Sequence, residues 1–159
     1  MKPKWWNKAK KQLRQRDKVM KKLLNAYKGH LTTRNNFFYS LTRSIISQQI
    51  SVSAADSVFS KFEKKCRSKI NPKTVSKLSI TDLRRCGLSR MKALGIKSLA
   101  DKILDKSFTP KLIKQMSDEE AINYLSTLRQ IGRWSSEMVL IFFYNRPNIW
   151  PVQDIGLLR

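Results

Sequence analysis

Residues suited to chemistry are few in this chain of 159 residues. His30 is its only histidine, so histidine-based nucleophilic triads and multi-histidine metal sites lack their parts. Cys66 and Cys86 are its only cysteines, and they are too far apart for a CxxC motif. They therefore supply neither a zinc site nor a four-cysteine iron–sulfur cluster, and we expect buried thiols instead. Any chemistry must use carboxylates, lysines or hydroxyls, and we predict no metal site.

One carboxylate is conspicuous because of its surroundings. Asp154 lies in the closing stretch PNIWPVQDIGLLR, among apolar residues that include Trp150 and Val152. An ionised group in an apolar environment costs several kcal/mol unless something compensates. Asp154 could cap a helix that begins at Ile155, which would stabilise it by about 1 kcal/mol. It could instead be a catalytic group, but the residues alone favour the cap.

The charge of the chain indicates its type of partner. Lys and Arg number 33 against 11 Asp and Glu, for a formal net charge of +22. Such an excess favours a polyanion, with nucleic acid first and a membrane surface second. The longest apolar run, residues 138–144, is far shorter than the roughly 20 residues of a membrane span. The basic N-terminus has no apolar segment typical of a signal peptide. We expect a cytoplasmic monomer that binds no membrane and, in a bacterium, associates with the nucleoid.

Apolar residues recur at helical spacing along most of the chain, which predicts an all-α fold. Three helix starts have a hydroxyl residue followed three positions later by an acid, the pattern of a capping box. They are Ser53 with Asp56, Ser79 with Asp82, and Ser117 with Glu120. The predicted helices are 5–28, 34–48, 53–67, 73–77, 80–86, 89–105, 110–115, 118–129 and 134–144.

A short glycine turn separates two of these helices, in the stretch LRQIGRWS from Leu128 to Ser135. A weaker echo, LRRCGLS, occupies residues 83–89. Such a hairpin can direct unpaired backbone N–H groups and a helix N-terminus at a phosphate, without reading base sequence. It can also be an ordinary corner with Gly132 as a helix C-cap. Spacing alone does not separate the two, but the positive charge favours phosphate.

Several motifs together carry a family resemblance. The stretch LRQIGRWSSEMVL from Leu128 to Leu140, followed by Arg146-Pro147 and PVQD up to Asp154, resembles the signature of the helix-hairpin-helix DNA glycosylases (HhH-GPD superfamily). It is most similar to the DNA-3-methyladenine glycosylase II branch. SIISQQIS at 44–51 and GLSRMKA at 87–93 resemble two further motifs of that branch. The resemblance covers essentially the whole chain, and it implies a two-lobed helical domain over residues 1–159.

The resemblance also implies roles for residues around the hairpin. Asp154 corresponds to the family's essential aspartate and would be the catalytic group. Family members that also cut the strand have a lysine at the position of Trp134, so the tryptophan implies a monofunctional enzyme without a Schiff base. Trp134 and Met138 would line the base pocket, although both could instead be core residues.

DNA-binding positions follow from the same motifs. Gln49 would fill the gap left by a flipped nucleotide, although it could instead cap a neighbouring helix. The full set of DNA-binding residues implied is Gln49, Ser51, Arg129, Ile131, Gly132, Arg133 and Ser135. We expect no cofactor, while a monovalent cation could sit at the contact between hairpin and phosphate.

Two features depart from the family pattern. Gln130 stands where family hairpins usually have glycine; a left-handed backbone there would cost about 1 kcal/mol or more, and Arg133 could compensate by contacting phosphate. The chain also ends five residues after Asp154, where relatives continue into a further helix. It is therefore expected to be a fragment or an unusually short protein without that C-terminal extension.

The function predicted is base excision repair: the enzyme would bind damaged double-stranded DNA, flip an alkylated purine such as 3-methyladenine or 7-methylguanine, and hydrolyse its N-glycosidic bond. The alternatives are a glycosylase for another damaged base, a non-catalytic basic DNA-binding module, and an RNA-binding protein without catalysis.

Overall fold

The regular structure of the described residues is entirely helical. The computed structural model describes residues 2–154 and 157. Its elements are α1 (Trp6–Arg16), α2 (Lys18–Ala26), α3 (Phe37–Ser47), α4 (Val52–Lys65), α5 (Pro72–Ser76), α6 (Ile80–Arg85), α7 (Arg90–Leu104), a 3-10 helix (Pro110–Gln115), α8 (Asp118–Ser126) and α9 (Arg133–Phe142). The predicted all-α class is confirmed. None of the helices described is long and apolar enough to cross a membrane.

The long N-terminal helix predicted over 5–28 is wrong, because the structure divides it at Asp17. Asp17 has an extended backbone (φ −137°, ψ 122°), and its side chain accepts a 2.7 Å hydrogen bond from the backbone N–H of Met20. An aspartate side chain competes in this way with the helical hydrogen bonds of its own backbone. It therefore ends α1 and caps α2.

The capping box predicted at Ser53 and Asp56 is also wrong. The N-cap of α4 is Ser51, whose hydroxyl accepts from the backbone N–H of Ala54. Asp56 instead lies 2.6 Å from Arg43 of α3 in an ion pair. The boxes of Ser79 with Asp82 and of Ser117 with Glu120 are confirmed, with both reciprocal hydrogen bonds present.

The core of the described residues is one cluster of buried apolar side chains, to which every element from α3 to α9 contributes. Leu41, Ile45 and Ile46 of α3 are fully buried, as are Ile96 of α7 and Leu140 of α9. α3 thus lies at the centre, against α4, α7 and α9. Its C-terminal end carries the Gln48–Gln49 segment, so packing of α3 fixes where that segment emerges. Cys66 and Cys86 are buried free thiols as expected, and burial raises the pKa of Cys66 to about 11.

Acid should destabilise the protein through its capping carboxylates. Hydrogen bonds from Lys65 and Ser79 hold the pKa of Asp82 well below its usual range, and hydrogen bonds from Ser117 lower the pKa of Glu120. Because these groups bind protons more weakly in the folded state, their stabilisation is complete at neutral pH and is lost as the pH falls below about 5. We expect the free energy of unfolding, measured with urea across a pH series, to fall on acidification. Asp82→Asn combined with Glu120→Gln should flatten this dependence, and an unchanged pH slope would contradict the assignment.

Candidate active site

The turn between α8 and α9 is shaped by a residue with left-handed backbone. Gln130 has φ +68°, so the conformation that glycine usually provides is adopted here by a residue with a side chain. Two contacts hold it: its carbonyl accepts a 2.8 Å hydrogen bond from Gln48 Nε2, and its side chain packs over Gly95 of α7. A Cβ at Gly95 would lie 2.8 Å from the Gln130 Cγ. The absence of a side chain at Gly95 thus makes room for the one at Gln130.

The N-terminus of α9 differs from those of the seven α-helices α2 to α8. Each helix from α2 to α8 has a side-chain oxygen at its N-cap. The N-cap of α9 is the exposed Gly132, which has no side chain to accept from the first N–H groups. The first intrahelical bond runs from the N–H of Ser136 to the carbonyl of Gly132 at 3.0 Å. The preceding N–H groups, together with the positive end of the helix dipole, are suited to an anion.

A cavity of about 530 Å³ lies beside this helix start, which we call the hairpin cavity. Trp134, Ser135, Met138 and Phe142 form one wall along α9. The end of α3 and the segment after it contribute Ser44, Ser47, Gln48 and Gln49 to the lining, and Arg34 completes it. The volume is within the usual range for small-molecule sites, about 300 to 1,000 Å³. Both residues predicted for the base pocket, Trp134 and Met138, line it.

Asp154 lies next to this cavity. The indole Nε1 of Trp134 donates a 2.8 Å hydrogen bond to Asp154 Oδ2, and the backbone N–H of Asp154 donates to the carbonyl of Pro151 at 2.9 Å. The side chain of Trp134 is 39% exposed and Asp154 is half-buried. A carboxylate is therefore held at the exposed edge of an aromatic cavity. A helix beginning at Ile155, which Asp154 might cap, lies outside the described residues.

The segment after α3 is braced against its surroundings. Lys92 of α7 donates from Nζ to the carbonyls of Ile46 at 2.8 Å and Gln48 at 2.6 Å. These two carbonyls at the end of α3 thus have a hydrogen-bond donor. Burial lowers the pKa of Lys92. The Gln48 side chain also lies 3.3 Å from the hydroxyl of Ser135. Gln49, the next residue after the braced Gln48, is exposed and has a left-handed backbone, φ +56°.

Arg133 is engaged within the protein. Its two Nη atoms lie 3.0 and 2.6 Å from the carboxylate oxygens of Glu119, and its Nε lies 3.2 Å from Glu137. Hydrogen bonds from Arg133 lower the pKa of Glu119. To contact a phosphate, as the sequence predicts, Arg133 would have to leave Glu119 or share its guanidinium.

The remaining predicted DNA-binding residues differ in accessibility. Arg129 is exposed, with Nη2 3.5 Å from Met91 Sδ of α7, and Ser51 is the exposed N-cap of α4. Ile131 and Ser135 are 5% and 4% exposed, so they present little surface to a ligand, and the backbone N–H of Ile131 already donates to the carbonyl of Leu128. Their assignment to DNA binding stays a prediction.

Sequence reasoning missed several residues that build the site. Gln48 and Lys92 occur inside two of the motifs that carry the resemblance, but their roles as braces depend on contacts between distant segments. Gln48 bonds to a residue 82 positions away and Lys92 to one 46 positions away. Phe142, Arg34 and Glu119 gave no local signal at all.

The sequence that forms these helices and the hairpin matches the model of a known family. Residues 42–159 match the family model of the HhH-GPD superfamily base excision DNA repair proteins, and the chain belongs to this family.

Several similar proteins are named as 3-methyladenine DNA glycosylases or glycosidases. The chain is 29% identical over 144 residues to DNA-3-methyladenine glycosylase 1 of Schizosaccharomyces pombe, covering 88% of this chain and 63% of that protein. A crystal structure of a DNA-3-methyladenine glycosidase from Bacillus halodurans superposes with a TM-score of 0.82 at 26% identity, covering 92% of this chain and 68% of that one. The structure of the S. pombe 3-methyladenine DNA glycosylase in complex with abasic DNA superposes with a TM-score of 0.77 at 29% identity. The match covers 94% of this chain and 76% of that one. The chain spans between 43% and 63% of the length of the curated relatives it matches.

Proposed function

We propose that this protein is a monofunctional DNA glycosylase that hydrolyses the N-glycosidic bond of alkylated purines, with 3-methyladenine and 7-methylguanine as its first substrates. One observation carries the proposal: Trp134 lines a cavity of about 530 Å³ and holds the carboxylate of Asp154 at its edge through a 2.8 Å hydrogen bond. The names of the relatives support the class of substrate.

The base would bind in the hairpin cavity. A methylated purine carries positive charge, and the electron-rich face of Trp134 would attract it by about 0.5 to 2 kcal/mol. Met138 and Phe142 supply apolar contacts on the same wall. Because the wall combines an indole with apolar side chains, it favours a flat cationic base over a neutral polar one.

Asp154 would act on the sugar of the same nucleotide. As the glycosidic bond breaks, the sugar develops positive charge, which a nearby carboxylate stabilises. The same carboxylate can orient or deprotonate the attacking water. The bond from the Trp134 indole N–H fixes Asp154 Oδ2, so the carboxylate is oriented before substrate arrives. A cationic purine is already a good leaving group, so one carboxylate without a separate acid suffices.

The DNA backbone would be bound by the start of α9. Gly132 leaves the first N–H groups of this helix without a side-chain cap, and the formal net charge of +22 favours a phosphate there. Gln49, exposed on the braced segment after α3, would occupy the gap left by the flipped nucleotide.

A base-release assay tests the proposal. Duplex DNA treated with a methylating agent is incubated with the protein, and free bases are separated by chromatography. We expect release of 3-methyladenine and 7-methylguanine, with strands that remain intact until heated in alkali and no covalent adduct on borohydride treatment, because Trp134 has no amine to form a Schiff base. Binding of duplex without release of any base would favour a DNA-binding module. Release of deaminated or oxidised bases alone would favour a different lesion.

Glu119 should limit the affinity for DNA, because it holds the guanidinium of Arg133 at the start of α9. Glu119→Gln weakens that hold and removes a negative charge from the hairpin surface. We expect tighter binding of undamaged duplex. We also expect the slope of log K against log salt to steepen by about 0.9, the value for one added phosphate contact.

Glu120→Gln is the matched control for this variant. It removes the same charge one residue away, and glutamine retains the capping box with Ser117, but Glu120 makes no contact with Arg133 among the described residues. Equal gains in both variants would show that net charge, and not release of Arg133, changes the affinity.

A further inference from the structure

A second cavity, of about 660 Å³, lies away from the hairpin cavity and is lined by positive charge. Its cations come from two elements: Lys64, Lys65 and Arg67 at the end of α4, and Lys73 and Lys77 in and after α5. We call it the basic cavity. No acid lines it within the part of the chain that the structure describes. Because like charges repel, their convergence on one concave surface needs a reason.

Internal interactions account for little of this charge. Lys65 is paired with Asp82 at 2.7 Å, but the other four cations have no ion pair among the described residues. The last turn of α4 favours Lys64 through the helix dipole. The carbonyls at and just after the end of α5 do not need the cations of the cavity, because Lys97 donates to those of Ser76 and Leu78. Burial keeps the pKa of Cys66 at about 11, so its thiol adds no negative charge.

The lining indicates which partner fits. Protein interfaces have cores enriched in aromatic residues and depleted in lysine. The basic cavity has no aromatic residue in its described lining, and Leu78 and Cys66 are its only apolar members. Lysine and arginine with a hydroxyl group, here that of Thr74, are instead the side chains that contact phosphate.

The location separates this cavity from the candidate active site. α4 begins at Val52, directly after the Gln49 segment, and ends at Lys65 beside the basic cavity. A helix of 14 residues spans about 20 Å, so the two ends of α4 are too far apart for one phosphate group to contact both.

We infer that the basic cavity, lined by Lys64, Arg67, Lys73 and Lys77, is a second phosphate-binding site that takes the backbone of nucleic acid beyond the damaged nucleotide. It would hold DNA through charge alone and would read no sequence. Its effect is on affinity and on the time spent on undamaged DNA, not on the bond that breaks.

The test compares two variants with the same loss of charge. The site variant carries Lys64→Gln, Arg67→Gln, Lys73→Gln and Lys77→Gln. The control variant carries Lys28→Gln, Lys106→Gln, Lys111→Gln and Lys114→Gln, at exposed positions outside both cavities. Binding to an undamaged duplex of about 30 base pairs is measured over a salt series; B-DNA advances about 3.4 Å per base pair, so this duplex extends well past the length of α4. Thermal unfolding verifies that both variants fold.

We expect the site variant to lower the steepness of log K against log salt by about 2 to 4, at roughly 0.9 per phosphate contact, and the control variant by less than about 1. Titration with inorganic pyrophosphate distinguishes the source of the phosphate. Loss of pyrophosphate binding with an unchanged duplex slope would assign the cavity to a free phosphate compound instead. Equal slopes in both variants, with no pyrophosphate binding to lose, would overturn the inference. Undamaged DNA is used throughout, so the result does not depend on base release.

Discussion

Replacing Asp154 by asparagine is expected to lower the rate of purine release from methylated duplex by about 10²- to 10⁴-fold, the range for a positioned acid–base group. Asparagine has the same shape, and its carbonyl can still accept the hydrogen bond from Trp134 Nε1. The variant therefore removes the negative charge with little change in packing. Single-turnover release, with enzyme in excess, measures the effect on the chemical step.

Two comparisons make this result specific. Asp101→Asn removes the same charge from an exposed position on α7, and it should release bases at the wild-type rate. Trp134→Phe keeps an aromatic wall but removes the indole donor, so we expect a smaller loss than for Asp154→Asn. Duplex affinity should be unchanged in Asp154→Asn. If that variant releases bases as fast as the wild type, Asp154 has no catalytic role.

The second large effect is expected at Gly95, where α7 meets the hairpin. An alanine Cβ would lie 2.8 Å from Gln130 Cγ and 3.2 Å from the carbonyl oxygen of Arg129. Alanine would otherwise favour a helix by about 1 kcal/mol, but forcing atoms into a packed contact costs about 1 to 3 kcal/mol. We expect Gly95→Ala to lower the free energy of unfolding in urea. It should also weaken duplex binding, because the turn that precedes α9 must shift.

Gln130→Gly supplies the rescue. It removes the side chain that Gly95→Ala would strike and relieves a left-handed backbone. In this background, Gly95→Ala should cost much less, so the two substitutions should be strongly non-additive. Gly29→Ala is the control, since no atom lies within 4 Å of a Cβ at that position. Additive losses would show that Gly95 and Gln130 do not constrain each other.

Sequence patterns determined the parts of this protein that depend on near neighbours. The helical spacing of apolar residues predicts most helices within a few positions, and the boxes of Ser79 with Asp82 and of Ser117 with Glu120 are as expected. These predictions succeed because capping and amphipathicity act over three or four residues. Asp17 and Asp56 show the limit. Local pattern predicts Asp17 inside a helix and Asp56 in a capping box. Asp17 instead divides the predicted helix, and Asp56 pairs with Arg43 of α3.

The family resemblance implies site roles for Asp154, Trp134 and Gly132, and the structure joins the first two by a hydrogen bond. Only the tertiary structure decided how that centre is supported. Gln48 bonds to Gln130 across 82 residues, and Gly95 leaves the space that the Gln130 side chain occupies. The engagement of Arg133 by Glu119 likewise depends on how α8 packs against α9. Such contacts leave no periodic or local trace in a single sequence, because each depends on where two separate segments meet after the core has formed.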